Sequence, residues 1–96
     1  MNFRVVIRQK SVDAVNELPA ETRRIIHNAL ATLEENPYPG TGGDKERLQL
    51  EEGVDVYRLH IGRSYTTLYT IDGKDRIVRV HEVMTIDQAH KKYGRM

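Results

Sequence analysis

Ninety-six residues, 39% hydrophobic and 30% charged, make one domain: the chain is too short for two cores and too apolar for a disordered segment. With no cysteine, disulfides and thiolate metal sites are excluded, and any chemistry rests on His, Arg, Lys, Tyr and carboxylates. No apolar run approaches the roughly 20 residues of a membrane helix, and MNFRVVIRQK returns to charge too soon for a signal peptide, so a cytoplasmic location with no membrane partner is expected.

The net charge of +1 is unevenly spread. Residues 1–52 hold seven Lys/Arg against nine Asp/Glu, or −2; residues 53–96 hold eight against five, or +3. A polyanion would be drawn to the C-terminal half. An ordinary solvated surface has the same look, so charge alone leaves both readings open.

In chain order, residues 2–8 alternate with Phe3, Val5 and Ile7 on one face, the period of a strand. Ser11 reads as the cap of a short helix with Val12, Val15 and Leu18 on a shared face. Pro19 ends that helix and opens the next, about 20–35, whose stripe is Ile26, Ala29, Leu30 and Leu33. Pro37 forces a stop near Asn36. The two helices read as an antiparallel hairpin.

Residues 37–46 (PYPGTGGDKE) read as a loop; their glycines match no phosphate-cradle spacing. Four strands follow, about 47–51, 54–61, 64–71 and 76–83, separated by Gly53, Ile61-Gly62-Arg63 and Asp72-Gly73-Lys74-Asp75. A final helix from Thr85 to Lys92 ends at Gly94, a natural C-cap. The expected fold is α+β: one domain over residues 1–96, with the hairpin packed on one face of a mostly antiparallel twisted sheet of four to five strands. Ile26, Leu30, Leu33, Tyr57, Leu59, Val78 and Val80 are its expected core.

Strand alternation sends Tyr57, Leu59 and Ile61 toward the helices and Arg58 and His60 to the open face. In 76–83, Val78 and Val80 point inward, Arg79 and His81 outward. Two strands thus each present an Arg-x-His pair. Arginine forks phosphate and histidine exchanges protons near neutral pH, the parts that metal-free RNA cleavage needs. A polar outer face on a half-buried sheet shows the same pattern. His27, His60, His81 and His90 form no HxxxH or HExxH, so neither a metal nor another cofactor is expected. The terminal QAHKKYGRM adds His90, Lys91, Lys92 and Tyr93, either a solvated helix end or a carrier of proton-transfer and phosphate-binding groups.

VYRLHIGRSYTTLYTID resembles the YRxRxGxYRxxY signature of RelE-type toxins, with Tyr57, Arg58, Leu59, Gly62 and Tyr69 in matching order. The opening strand and Leu-Pro helix hairpin, the GGDKERLQL approach and the closing DGKDRIVRVHEVMTIDQAHKKY also resemble that family. The resemblance to the RelE/ParE superfamily implies a toxin of a type II toxin–antitoxin pair, neutralised by a cognate antitoxin. In its RelE branch the activity is ribosome-dependent mRNA cleavage by 2′-hydroxyl attack; in its ParE branch it is binding to gyrase without nuclease residues.

Carried over by position, Arg58 matches the family's phosphate-binding arginine. Arg47 and Gln49 align with a basic pair, His60 replaces a second arginine, and Thr66 and Ile86 fall where basic residues are usual. His90 falls at the tyrosine of the last segment, with Tyr93 one turn on. Taken with the face pattern and the terminal run, the candidate catalytic set is Arg58, His60, His81, His90 and Tyr93, with Arg47, Arg79, Lys91 and Lys92 as candidates for binding RNA. The departures leave three readings open: histidines that take over proton transfer, a binding-only toxin, or a weakened member that only binds its antitoxin.

Overall fold

A computed structural model describes residues 2–40, 43–51 and 53–94, with only the backbone of 49–51. The elements run β1 (Arg4–Ile7), α1 (Gln9–Asn16), α2 (Ala20–Ala31), a 3-10 turn (Thr32–Glu34), β2 (Lys45–Glu51), β3 (Val54–Ile61), β4 (Tyr65–Asp72), β5 (Ile77–Thr85) and α3 (Ile86–Tyr93). They form a five-stranded sheet ordered β1-β5-β4-β3-β2. Short turns make β2 to β5 antiparallel neighbours, whereas β1 reaches β5 only after the helices and pairs with it in parallel.

The alternation read from the sequence places the main core. Phe3, Val15, Ile26, Leu30 and Leu33 meet Tyr57, Leu59, Ile61, Tyr69, Val78 and Val80 between the hairpin and the sheet. All seven residues expected in the core are buried. Tyr69 is wholly enclosed, stacks on Tyr57 and donates its hydroxyl to the Pro37 carbonyl at 2.7 Å, which fastens the loop after the helices to the sheet.

Several local expectations change. Ser11 lies inside α1, where it is buried and donates to the His81 carbonyl at 3.1 Å; Arg8 occupies the cap position. The second helix is α-helical only to Ala31 and tightens into the 3-10 turn before Pro37. β2 starts at Lys45, so the loop is shorter than its composition implies; Thr41 and Gly42 lie outside the described residues. Gly94 closes α3 with φ 75, and Thr85 opens it in a capping box with Gln88.

The sheet is also covered on its second face. α3 packs there through Ala89 against Leu48, Leu68 and Met84, with Val56 and Tyr93 at the margin. Leu68 follows Thr67 on β4 and therefore points away from the hairpin, so an apolar residue on that face needs a cover of its own. The helices thus form two layers of unequal size: the hairpin on one face of the sheet, as expected, and α3 on the other.

Candidate functional site

The second face holds the polar side chains. Its rows follow from register: Glu46 lies opposite Arg58, and Arg58 opposite Leu68. His60 is opposite Thr66, and Thr70 opposite Arg79. Arg47 is opposite Tyr57 and so lies on the hairpin face, 3.8 Å from Asp55 and away from Arg58. The side chain of Gln49 lies outside those described.

Arg58 is on the expected face but is not open. It is 8% exposed and ion-paired with Glu46, and its Nε has no hydrogen-bond partner among the described residues. His60 is half-buried beside it; burial and the Arg58 charge lower its pKa against the opposing pull of Asp44.

A bulge in β5 decides the other end of the face. Leu68 pairs with Glu82 and Tyr69 with Val80, which leaves His81 as the extra residue. Strict alternation would turn Glu82 toward the hairpin after Val78 and Val80. The bulge shifts the phase, so Val83 joins the main core and Glu82 turns toward α3. The His81 ring lies 2.9 Å from the Thr70 hydroxyl. Burial and the charges of Arg8 and Arg79 lower its pKa, against the pull of Glu82.

Tyr93 reaches down from α3 and donates to Glu82 at 2.6 Å, while Lys92 is ion-paired with the same carboxylate. Burial pushes the Glu82 carboxyl up, but hydrogen bonds from Lys92 and Tyr93 and the charges of Lys92 and Lys10 outweigh it and hold the group ionised. Burial and the Glu82 bond raise the Tyr93 phenol. A groove of about 490 Å³ runs over Val54, Val56, Leu68 and Thr70 to His81, Glu82 and Tyr93.

Of the candidates read from the sequence, His81, Arg79, Lys92 and Tyr93 gather around this end of the sheet. Arg79 is exposed, 3.9 Å from Asp72. Arg58 and His60 lie on β3, across β4 from His81: the bulge sets His81 beside Leu68 and Tyr69, and Arg58 faces Leu68 from the other side, two strand spacings or roughly 10 Å away. His90 and Lys91 are exposed on the outer side of α3, since Ala89 and Tyr93 face the sheet. The sequence reading missed Glu82, whose orientation needs the bulge, and Arg8 and Lys10, which no face pattern connects to β5. Among the described residues no three His, Asp or Glu converge as a metal site would require.

The model of the "ParE toxin of type II toxin-antitoxin system, parDE" matches residues 5–88. No curated protein sequence matched the chain. Among solved structures, the chain is similar to an archaeal RelE–RelB complex from Pyrococcus horikoshii OT3: 27% identity, TM-score 0.73, covering 88% of this chain and 96% of that one. It is also similar to the RelBE2 toxin–antitoxin complex of Mycobacterium tuberculosis, at 17% identity and TM-score 0.71 over 88% and 99% of the two chains. A free RelE toxin variant from E. coli, at 16% identity, shares the fold with TM-score 0.69 over 98% and 95%. With a family match over most of its length, and a RelE-like strand, hairpin, mixed sheet and closing helix, this chain belongs to the ParE toxin family of type II toxin–antitoxin systems, within the RelE/ParE superfamily.

Proposed function

We propose that this toxin cleaves mRNA on the ribosome, with the reaction at the His81 end of the sheet. The observation that carries the reading is a half-buried His81, 2.9 Å from the Thr70 hydroxyl, lining one groove with Glu82 and with the Tyr93 that donates to it. If Nε2–H is given to Thr70, Nδ1 keeps the lone pair that a general base needs. It takes the 2′-hydroxyl proton, the 2′-oxygen attacks phosphorus, and the bond to the 5′-oxygen breaks. Tyr93 supplies the leaving oxygen with a proton, and Arg79 and Lys92 face the phosphorane charge. The products are a 2′,3′-cyclic phosphate and a 5′-hydroxyl. Cleavage on programmed ribosomes tests this: His81→Gln is expected to cut about 10²–10⁴-fold more slowly, and Arg79→Ala about 10²–10³-fold more slowly.

A second reading is a toxin that binds a protein target such as gyrase without cutting RNA. It is favoured by the Glu46 carboxylate on Arg58, which occupies the guanidinium expected to hold phosphate. Growth arrest by the wild type without any mRNA cleavage on ribosomes would select this reading. In either case we infer a cognate antitoxin, supported by the similarity to chains from the RelE–RelB and RelBE2 complexes. Co-expression with the antitoxin is expected to restore growth. The chemistry of the site calls on no cofactor.

A further inference from the structure

β1 stops at Ile7, while β5 runs on to Thr85. Among the described residues, the outer edge of β5 past Val80 therefore has no strand beside it. The chain turns there into α1: the Arg8 amide donates to the Val80 carbonyl at 3.2 Å and the Ser11 hydroxyl to the His81 carbonyl. α3 rises on the other side. Between them lies a second groove of about 310 Å³, whose walls carry Arg8 and Lys10 from the α1 side and Gln88 and Lys92 from α3. His81 and Glu82 line this groove as well as the one that ends at Tyr93, so the two share a wall at these residues.

We infer that this second groove binds the phosphodiester backbone of a single-stranded polynucleotide, with Arg8 and Lys10 as phosphate contacts that lead the strand to His81. This rests on the nuclease reading for the destination of the strand, but the binding itself needs no catalysis. Arg8 and Lys10 make no side-chain hydrogen bond or ion pair among the described residues, so their charge is available to a ligand. Both act across the groove: the charge of Arg8 is felt at His81 and that of Lys10 at Glu82. The apolar lining is already used, because Met84 belongs to the α3 cluster and Val83 packs on the main core. An acidic amphipathic peptide would find no row of open apolar sockets here, whereas a phosphate chain needs only donors and positive charge.

The probe is a short single-stranded 2′-O-methyl oligoribonucleotide, which lacks the attacking hydroxyl, titrated into the free protein by fluorescence anisotropy over a range of salt. Arg8→Gln and Lys10→Gln are each expected to weaken binding several-fold and to lower the slope of log affinity against log salt by about 0.7, one phosphate contact on a single strand. Arg8→Lys is expected to keep the wild-type slope, and Lys74→Gln, in the β4–β5 turn at the other end of the sheet, to change nothing. Thermal melting of each variant checks that the fold is intact. An unchanged slope in folded Arg8→Gln and Lys10→Gln overturns the inference. So does a poly-glutamate peptide that binds this groove more tightly than the oligonucleotide, which would make it a protein interface. Intact, Arg8-dependent binding by a toxin that cuts no mRNA on ribosomes would sink the nuclease reading and leave this one standing.

Discussion

Glu46 and Arg58 face each other across the β2–β3 ladder, and their ion pair closes off a guanidinium that the sequence places on an open face. Arg58 sits between Glu46 and Leu68, under the second apolar cluster, so its charge is held away from water by β4 on one side and neutralised from β2 on the other. A buried charge deprived of its partner is costly, because the remaining ion keeps its desolvation penalty without the Coulomb gain.

Glu46→Leu is therefore expected to destabilise the fold. Full burial of such a pair would put the loss at about 3–5 kcal/mol; since Glu46 keeps 44% of its side chain exposed, screening reduces it to about 1–2 kcal/mol. The double variant Glu46→Leu, Arg58→Met should recover much of that loss, because no uncompensated charge remains. Urea denaturation of the single and double variants checks this. Equal stability of the two would show that the pair does not couple.

Stability should rise with pH around the histidine range. His81 and His60 both have folded pKa values below 6.5, mainly because burial penalises the charged ring. The unfolded chain therefore binds more protons than the folded one as pH falls below about 7. Their contribution is fully present above the unfolded value and is lost as pH drops toward the lowered folded values. Denaturation at pH 7.5 and pH 5.5 should show the protein weaker in acid, and His81→Gln should flatten the difference. An unchanged slope in that variant would remove His81 as a cause.

α3 depends on one apolar contact set on its face of the sheet. Leu68, 3% exposed, is its central member beneath Ala89 and Met84. Leu68→Ala is expected to cost about 2–5 kcal/mol in global stability. Because the other ties of α3 are polar contacts at its two ends, its amide hydrogens should exchange faster in that variant, while those of α2, packed on the opposite face, follow only the global change. Equal acceleration in both helices would show that α3 is not a separately anchored unit.

Alternation in the sequence was sufficient to determine which face of β3, and of β5 as far as Val80, the hairpin covers, because side-chain direction has a period of two and one wrong step would bury charge. Ile26, Leu30 and Leu33 on one helical stripe, the stop before Pro37 and the Gly94 cap were legible for the same local reason. The tertiary structure alone decided what each polar side chain meets. The neighbour of Arg58 is set by strand register, which brought Glu46 opposite it and left Arg47 on the other face. The bulge at His81 shifted the phase of β5 and delivered Glu82 to Tyr93 and Lys92, an event with no signature in the alternation of 76–83. Arg8 and Lys10 reached His81 only because the first strand pairs in parallel with the last, and pairing of that kind is a property of chain topology, not of any local spacing.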